Sequence, residues 1–131
     1  MSIEYRIDRK RRLVIVTGRG TVTPDELGNY QRTVWSNPEV AGYNELADMR
    51  EVEHVIAASP EQMSGLARLA ATMDAGPPSS KFAIVAPQDA VYGLGRMFEA
   101  YRGLESQSKK QVAVFRSMEE ALQWLGMEGG P

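Results

Sequence analysis

The sequence contains no cysteine and a single histidine, His54. Without thiols there is no disulfide, thiolate metal centre or cysteine nucleophile to consider. One imidazole beside Glu51 and Glu53 falls short of a zinc donor set and of a serine–histidine–aspartate relay. No metal, cofactor or enzymatic activity is therefore expected, and His54 reads as part of a solvated loop. No apolar run approaches the ~18 residues of a membrane span, and the start MSIEYRID has no apolar core of a secretory leader. An excess of positive charge is missing too: 15 basic against 17 acidic side chains give a net charge of −2. That supplies no cationic field for nucleic acid or an anionic membrane. The expectation is a cytoplasmic protein without a nucleic-acid partner or stable membrane insertion.

What is present is a chain of 131 residues whose apolar positions change period along its length. Surface scaling gives roughly 6,900 Å² exposed when folded against roughly 21,000 Å² unfolded, enough burial for one core without staples. Ile3, Tyr5 and Ile7 alternate with Glu4, Arg6 and Asp8, the period of an edge strand with one wet face. Across the charged turn Arg9-Lys10-Arg11-Arg12 lies Leu13–Val16, an unalternated run expected of a strand covered on both sides. Thr23-Pro24-Asp25-Glu26 carries a helix cap, with Leu27, Tyr30 and Val34 as its buried stripe. Leu46–Met49 reads as a short strand leading into the polar loop Arg50–His54. Ser59-Pro60-Glu61-Gln62 opens a second helix that buries Met63, Leu66, Ala70 and Met73 and ends in Ala75–Ser80. Phe82–Val85 is a further strand. It leads through Pro87 into a long helix with Val91, Leu94, Phe98 and Tyr101 on one stripe and Met97 and Leu104 beside it. Val112–Phe115 is the last strand, and Ser117 caps a helix that buries Leu122 and Leu125 and stops at Gly126. The order predicts an α/β fold: a mixed sheet of about five strands, an N-terminal hairpin followed by strand–helix units, with four helices. One domain spans residues 1–126, and 127–131 form a frayed tail.

Three segments carry a resemblance. The opening IEYRID-RKRRLVIVTGRG, the stretch from Ala83 to Gly103 and the ending VAVFRSMEEALQWLG resemble the bacterial SpoIIAA-like group of the STAS-like (sulfate transporter and anti-sigma factor antagonist) families. The resemblance implies that fold and a non-enzymatic regulatory or binding module. In the wider family a partner docks after the third strand, where a serine in an Asp-Ser-Ser-Gly motif is phosphorylated. Here Asp48 occupies the strand end and Ser59 the following helix start, but the motif is replaced by Ile56-Ala57-Ala58-Ser59-Pro60. Ser59 is accordingly both a candidate phosphorylation site and a plain helix cap.

In parallel sheets, strand ends and the helix starts that follow them share one rim, where ligands bind. That rim collects Asp48, Arg50, Ser59, Gln88, Asp89, Arg116 and Ser117, whose amides and guanidinium groups suit a small anion or an acidic protein partner. Glu51, Glu61, Glu119 and Glu120 stand close enough in sequence to neutralise the two arginines instead. STAS-like proteins are also similar in fold to lipid-carrying domains of the Sec14 type. By that resemblance Met63, Met73, Met97, Phe98 and Tyr101 line an apolar cavity for a small lipophilic molecule, or else form ordinary core. Gly93 and Gly95 lie within a helix, so a close approach to the sheet is expected to compensate their cost. The edge strand expected at Ile3–Ile7 makes a homodimer a further expectation.

Overall fold

The computed structural model describes residues 2–56, 59–73, 79–105 and 108–127. The elements run β1 (Ile3–Asp8), β2 (Leu13–Val22), α1 (Pro24–Trp35), a 3-10 turn at Pro38–Val40, β3 (Asn44–Val55), α2 (Pro60–Met73), β4 (Ser80–Val85), α3 (Asp89–Gly103), β5 (Lys110–Phe115) and α4 (Met118–Leu125). The sheet order is β1-β2-β3-β4-β5, antiparallel between β1 and β2 and parallel thereafter. This is the mixed sheet with four helices that the periodicities predict.

The strand order determines how the helices are distributed. Each parallel step moves one place in the same direction, so right-handed crossovers put α1, α2 and α3 on the same face. There they bury Val14, Val16, Ala47, Met49, Phe82 and Ile84. The opposite face, with Leu13, Ile15, Leu46, Ala83 and Val85, is left to α4, which contributes Ala121, Leu122 and Leu125. Strands β2 to β4 are thus apolar on both faces, which explains their runs without alternation.

The helix starts follow the capping residues. Thr23 Oγ1 accepts from the Glu26 amide at 3.2 Å while Glu26 Oε2 accepts from the Thr23 amide at 2.9 Å, a complete capping box. Ser59 Oγ accepts from the Gln62 amide at 3.1 Å and Ser117 Oγ from the Glu120 amide at 3.2 Å. At the end of α4, Gly126 takes φ of 75°, and the Met127 amide returns to the Leu122 carbonyl at 2.8 Å. Met127 is therefore docked against the α4 core rather than frayed; the rest of the expected tail, 128–131, lies outside the described residues. Residues 75–78 of the expected helix stop, and Ala57 and Ala58, lie outside them as well.

Two expectations need correction. The segment Arg50–His54 is strand, not loop: β3 continues to Val55 and pairs with a β2 that itself continues to Val22. The pairing stays open to polar residues because it projects beyond β4, leaving Glu51, Glu53 and His54 exposed while Val52 faces the core. Leu104, expected beside the stripe of α3, is 77% exposed, because the helix has ended at Gly103. Of the two glycines in α3, Gly95 packs closely, since a Cβ there would lie 3.1 Å from Val114 Cγ1, whereas Gly93 faces open space. Among the described residues no helix is long and apolar enough to cross a membrane.

Candidate functional site

The strand-end rim is built around an irregularity in β3. Thr17 and Arg19 of β2 pair with Asp48 and Glu51, and Gly20 and Thr21 with Val52 and His54, so β3 carries an extra residue at each step. Such bulges leave carbonyls without a ladder partner, and β4 ends too early to supply one. Gln88, at the N-terminus of α3, fills the gap. Its Nε2 donates to the carbonyls of Arg50 at 2.8 Å and Val52 at 2.7 Å, with Met49 farther away at 3.4 Å. Its Oε1 is buried without a hydrogen-bond partner among the described residues. Gln88, expected from sequence as a ligand contact, here uses its amide to hold the bulged strand.

The rim arginines are neutralised from within the predicted set. Arg50 grips Asp48 through two hydrogen bonds of 2.9 Å, and Arg116 meets Asp89 at 2.7 Å and the Pro87 carbonyl at 3.0 Å, with its guanidinium 4.1 Å above the Tyr92 ring. The partners are these two aspartates, not the glutamates weighed from sequence. Ser59 and Ser117 serve their own helices as caps. Among the described residues, no hydrogen bond joins either to the arginines. Burial pushes the Asp48 carboxyl up, but the Arg50 side chain and amide, with Arg19 beyond, outweigh it and hold the group below its ordinary 3.8. A depressed carboxylate contributes stability that is present above pH about 4 and lost as pH falls through its folded value. Urea titrations of the parent and Asp48→Asn are therefore expected to differ by under about 1 kcal/mol at neutral pH, the Arg50 side of the pair being half-exposed, and to converge as pH falls through the lowered folded value of Asp48.

A second concave feature lies between the sheet and the three helices. A partly open cavity of about 100 Å³ is lined by Val16 and Val22 of β2, Ala47 and Met49 of β3, Ile84 of β4, Leu27 of α1, Met63 and Leu66 of α2, and Val91 and Phe98 of α3. Of the five residues expected to line a cavity, Met63 and Phe98 do so. Met73 and Met97 pack against the surrounding core, and Met73 Sδ receives the Gln31 amide at 3.9 Å. Tyr101 borders a separate, open groove beside Pro60, Ser64 and Arg68.

Two of the polar lining residues, Tyr30 and Glu45, belong to a buried network that extends behind the lining to Trp35 and Lys110. Tyr30 donates to Glu45 Oε2 at 2.7 Å and accepts from Trp35 Nε1 at 3.0 Å. Lys110 Nζ lies 3.4 Å from Glu45 Oε1 and 3.4 Å above the centre of the Trp35 ring. Burial, and then the charge of Glu45, push the Tyr30 phenol well above its ordinary 10, so it remains the donor. Sequence reasoning missed this group. Glu45 is the second residue of β3 and Lys110 the first of β5, and only the register, which sets Glu45 beside Phe82 and Lys110 beside Ser80, reveals that they are buried.

No family model matches the chain, and no curated protein matches it. Among solved structures, it is similar to an uncharacterized protein of the DUF3478 family with a SpoIIAA-like fold, from Shewanella loihica PV-4. The TM-score is 0.60 at 13% identity, over 95% of this chain and 94% of that one. The chain has the SpoIIAA-like fold. At this identity the likeness fixes the architecture and carries no activity with it.

Proposed function

We propose that the protein is a non-enzymatic cytoplasmic binding module that carries or senses a small lipophilic molecule in the cavity between its sheet and α1, α2 and α3. The observation that carries this reading is the apolar character of the lining. Apolar side chains from three helices and three strands line the space, and Tyr30, Gln31 and Glu45 are the polar residues among them. Dry apolar cavities only somewhat larger than 100 Å³ take single-ring hydrocarbons. A ligand that is apolar along its length and carries one hydroxyl or carbonyl fits this lining, the polar group meeting Gln31 or the Tyr30–Glu45 pair.

The rim reading, an anion or acidic partner at Arg50 and Arg116, has less support, because Asp48 and Asp89 already occupy both guanidinium groups. Among the described residues of the site none is arranged as a nucleophile with an adjacent base, which supports binding over turnover. The test is native mass spectrometry of the protein from its own host, followed by denaturing mass analysis of the same sample. The expected result is an excess mass that disappears on denaturation, together with its loss in Ala47→Leu, which fills the cavity from β3. A bare native chain, or an Ala47→Leu protein that folds and keeps the ligand, overturns the reading. An excess of about 80 Da that survives denaturation and maps to Ser59 would support the phosphorylated rim instead.

A further inference from the structure

We propose that the open edge of β1 is a homodimer interface, at which two copies join antiparallel about Tyr5 to form one continuous sheet. The register follows from the hairpin. The Arg19 amide donates to the Ser2 carbonyl at 2.9 Å, in line with the β1–β2 pairing of Ile3 with Gly18. Antiparallel strands alternate the direction of their backbone groups. Ser2, Glu4, Arg6 and Asp8 therefore bond to β2, and Ile3, Tyr5 and Ile7 turn their N–H and C=O groups to the open side, where no described strand pairs with them.

A second β1 must set these outward residues opposite one another, and three centrings do so. Centring on Glu4 opposes it to its own copy, and centring on Arg6 does the same for the arginine. Both place like charges face to face. Centring on Tyr5 sets Glu4 opposite Arg6 of the second copy, twice by symmetry, and Ile3 opposite Ile7. The three outward pairs then exchange about six backbone hydrogen bonds. Tyr5 is 49% exposed and Arg6 is exposed with no ion-pair partner among the described residues, while Glu4, 63% exposed, meets Arg19 of its own chain at 3.0 Å and would be shared between Arg19 and the second copy's Arg6. The other open edge, β5, reads KQVAVF; its one charge, Lys110, is already held by Glu45 in the interior, so this strand carries no pair of opposite charges to set a register between copies.

Sedimentation equilibrium of the full chain is expected to give twice the chain mass. Arg6→Glu and Glu4→Lys each create two like-charge oppositions and are expected to weaken the dimer about tenfold or more, with the thermal midpoint of the fold nearly unchanged. An equimolar mixture of the two variants restores opposite charges at both positions and is expected to recover the dimer. Because the chain has no cysteine, Tyr5→Cys supplies a register test that keeps every charge. The two Cα atoms would lie about 5.5 Å apart, within disulfide range, whereas those of Ile3→Cys would lie about 13 Å apart. Rapid oxidation of the Tyr5→Cys protein to a covalent dimer supports the proposal. A monomeric parent, a dimer indifferent to Arg6→Glu, a mixture that stays monomeric, or equal cross-linking at Ile3 overturns it.

Discussion

Lys110→Met is expected to cost about 3–5 kcal/mol of folding stability, lowering the thermal midpoint by roughly 10–20 °C for a chain of this length. The side chains of Lys110 and Glu45 are 3% and 2% exposed, so the carboxylate left behind would be buried with, among the described residues, only the Tyr30 hydroxyl as donor. Desolvation of that charge, rather than the lost attraction, dominates the penalty. The double variant Glu45→Gln/Lys110→Met is accordingly expected to recover more than half of the loss. It removes both charges and leaves a side-chain carbonyl that still accepts from Tyr30. Urea unfolding of the two single variants and the double closes the cycle. A single-variant loss below about 1 kcal/mol would mean that water reaches Glu45, and the cavity would then be wet beside it.

Phe98→Ala is the second large effect, at about 3–5 kcal/mol. The ring is 7% exposed, meets Phe82 edge-on at 6.1 Å, and forms part of the cavity wall, so its removal leaves a void that the β-sheet side cannot collapse into. Saturating indole or benzene is expected to return part of the loss, since a ligand held only by the folded state adds about 2.7 kcal/mol at a hundredfold excess over its dissociation constant. Leu104→Ala, one residue past the same helix and 77% exposed, is expected to change stability by less than about 0.5 kcal/mol. Thermal midpoints with and without the probe check both statements. A Phe98→Ala protein that gains nothing from any small aromatic would argue that the wall closes over the site, and would weaken the carrier reading with it.

The rim residues were legible in the sequence, but their pairing with one another was not. Asp48, Arg50, Asp89 and Arg116 do meet at the rim, as topology requires of strand ends and helix starts. They meet as two closed pairs, and no sequence pattern distinguishes an arginine that awaits an anion from one already held by the aspartate two residues away. Gln88 shows a different limit. Its work on the carbonyls of β3 exists only because of the bulges, which arise from the pairing of two distant segments.

The sequence by itself determined the order of elements, the helix caps at Thr23, Ser59 and Ser117, the stop at Gly126 and the double-faced character of the central strands. Each of these is written in residues close together along the chain, by period, capping chemistry or backbone preference. Tertiary structure alone decided that β2 and β3 run on to Val22 and Val55, and that Glu45 and Lys110 face each other in the core although 65 positions apart. It also decided which of the apolar residues line a space rather than fill one. These depend on strand register and on how helices seat against a sheet, and so on distances between parts of the chain that share no local signal.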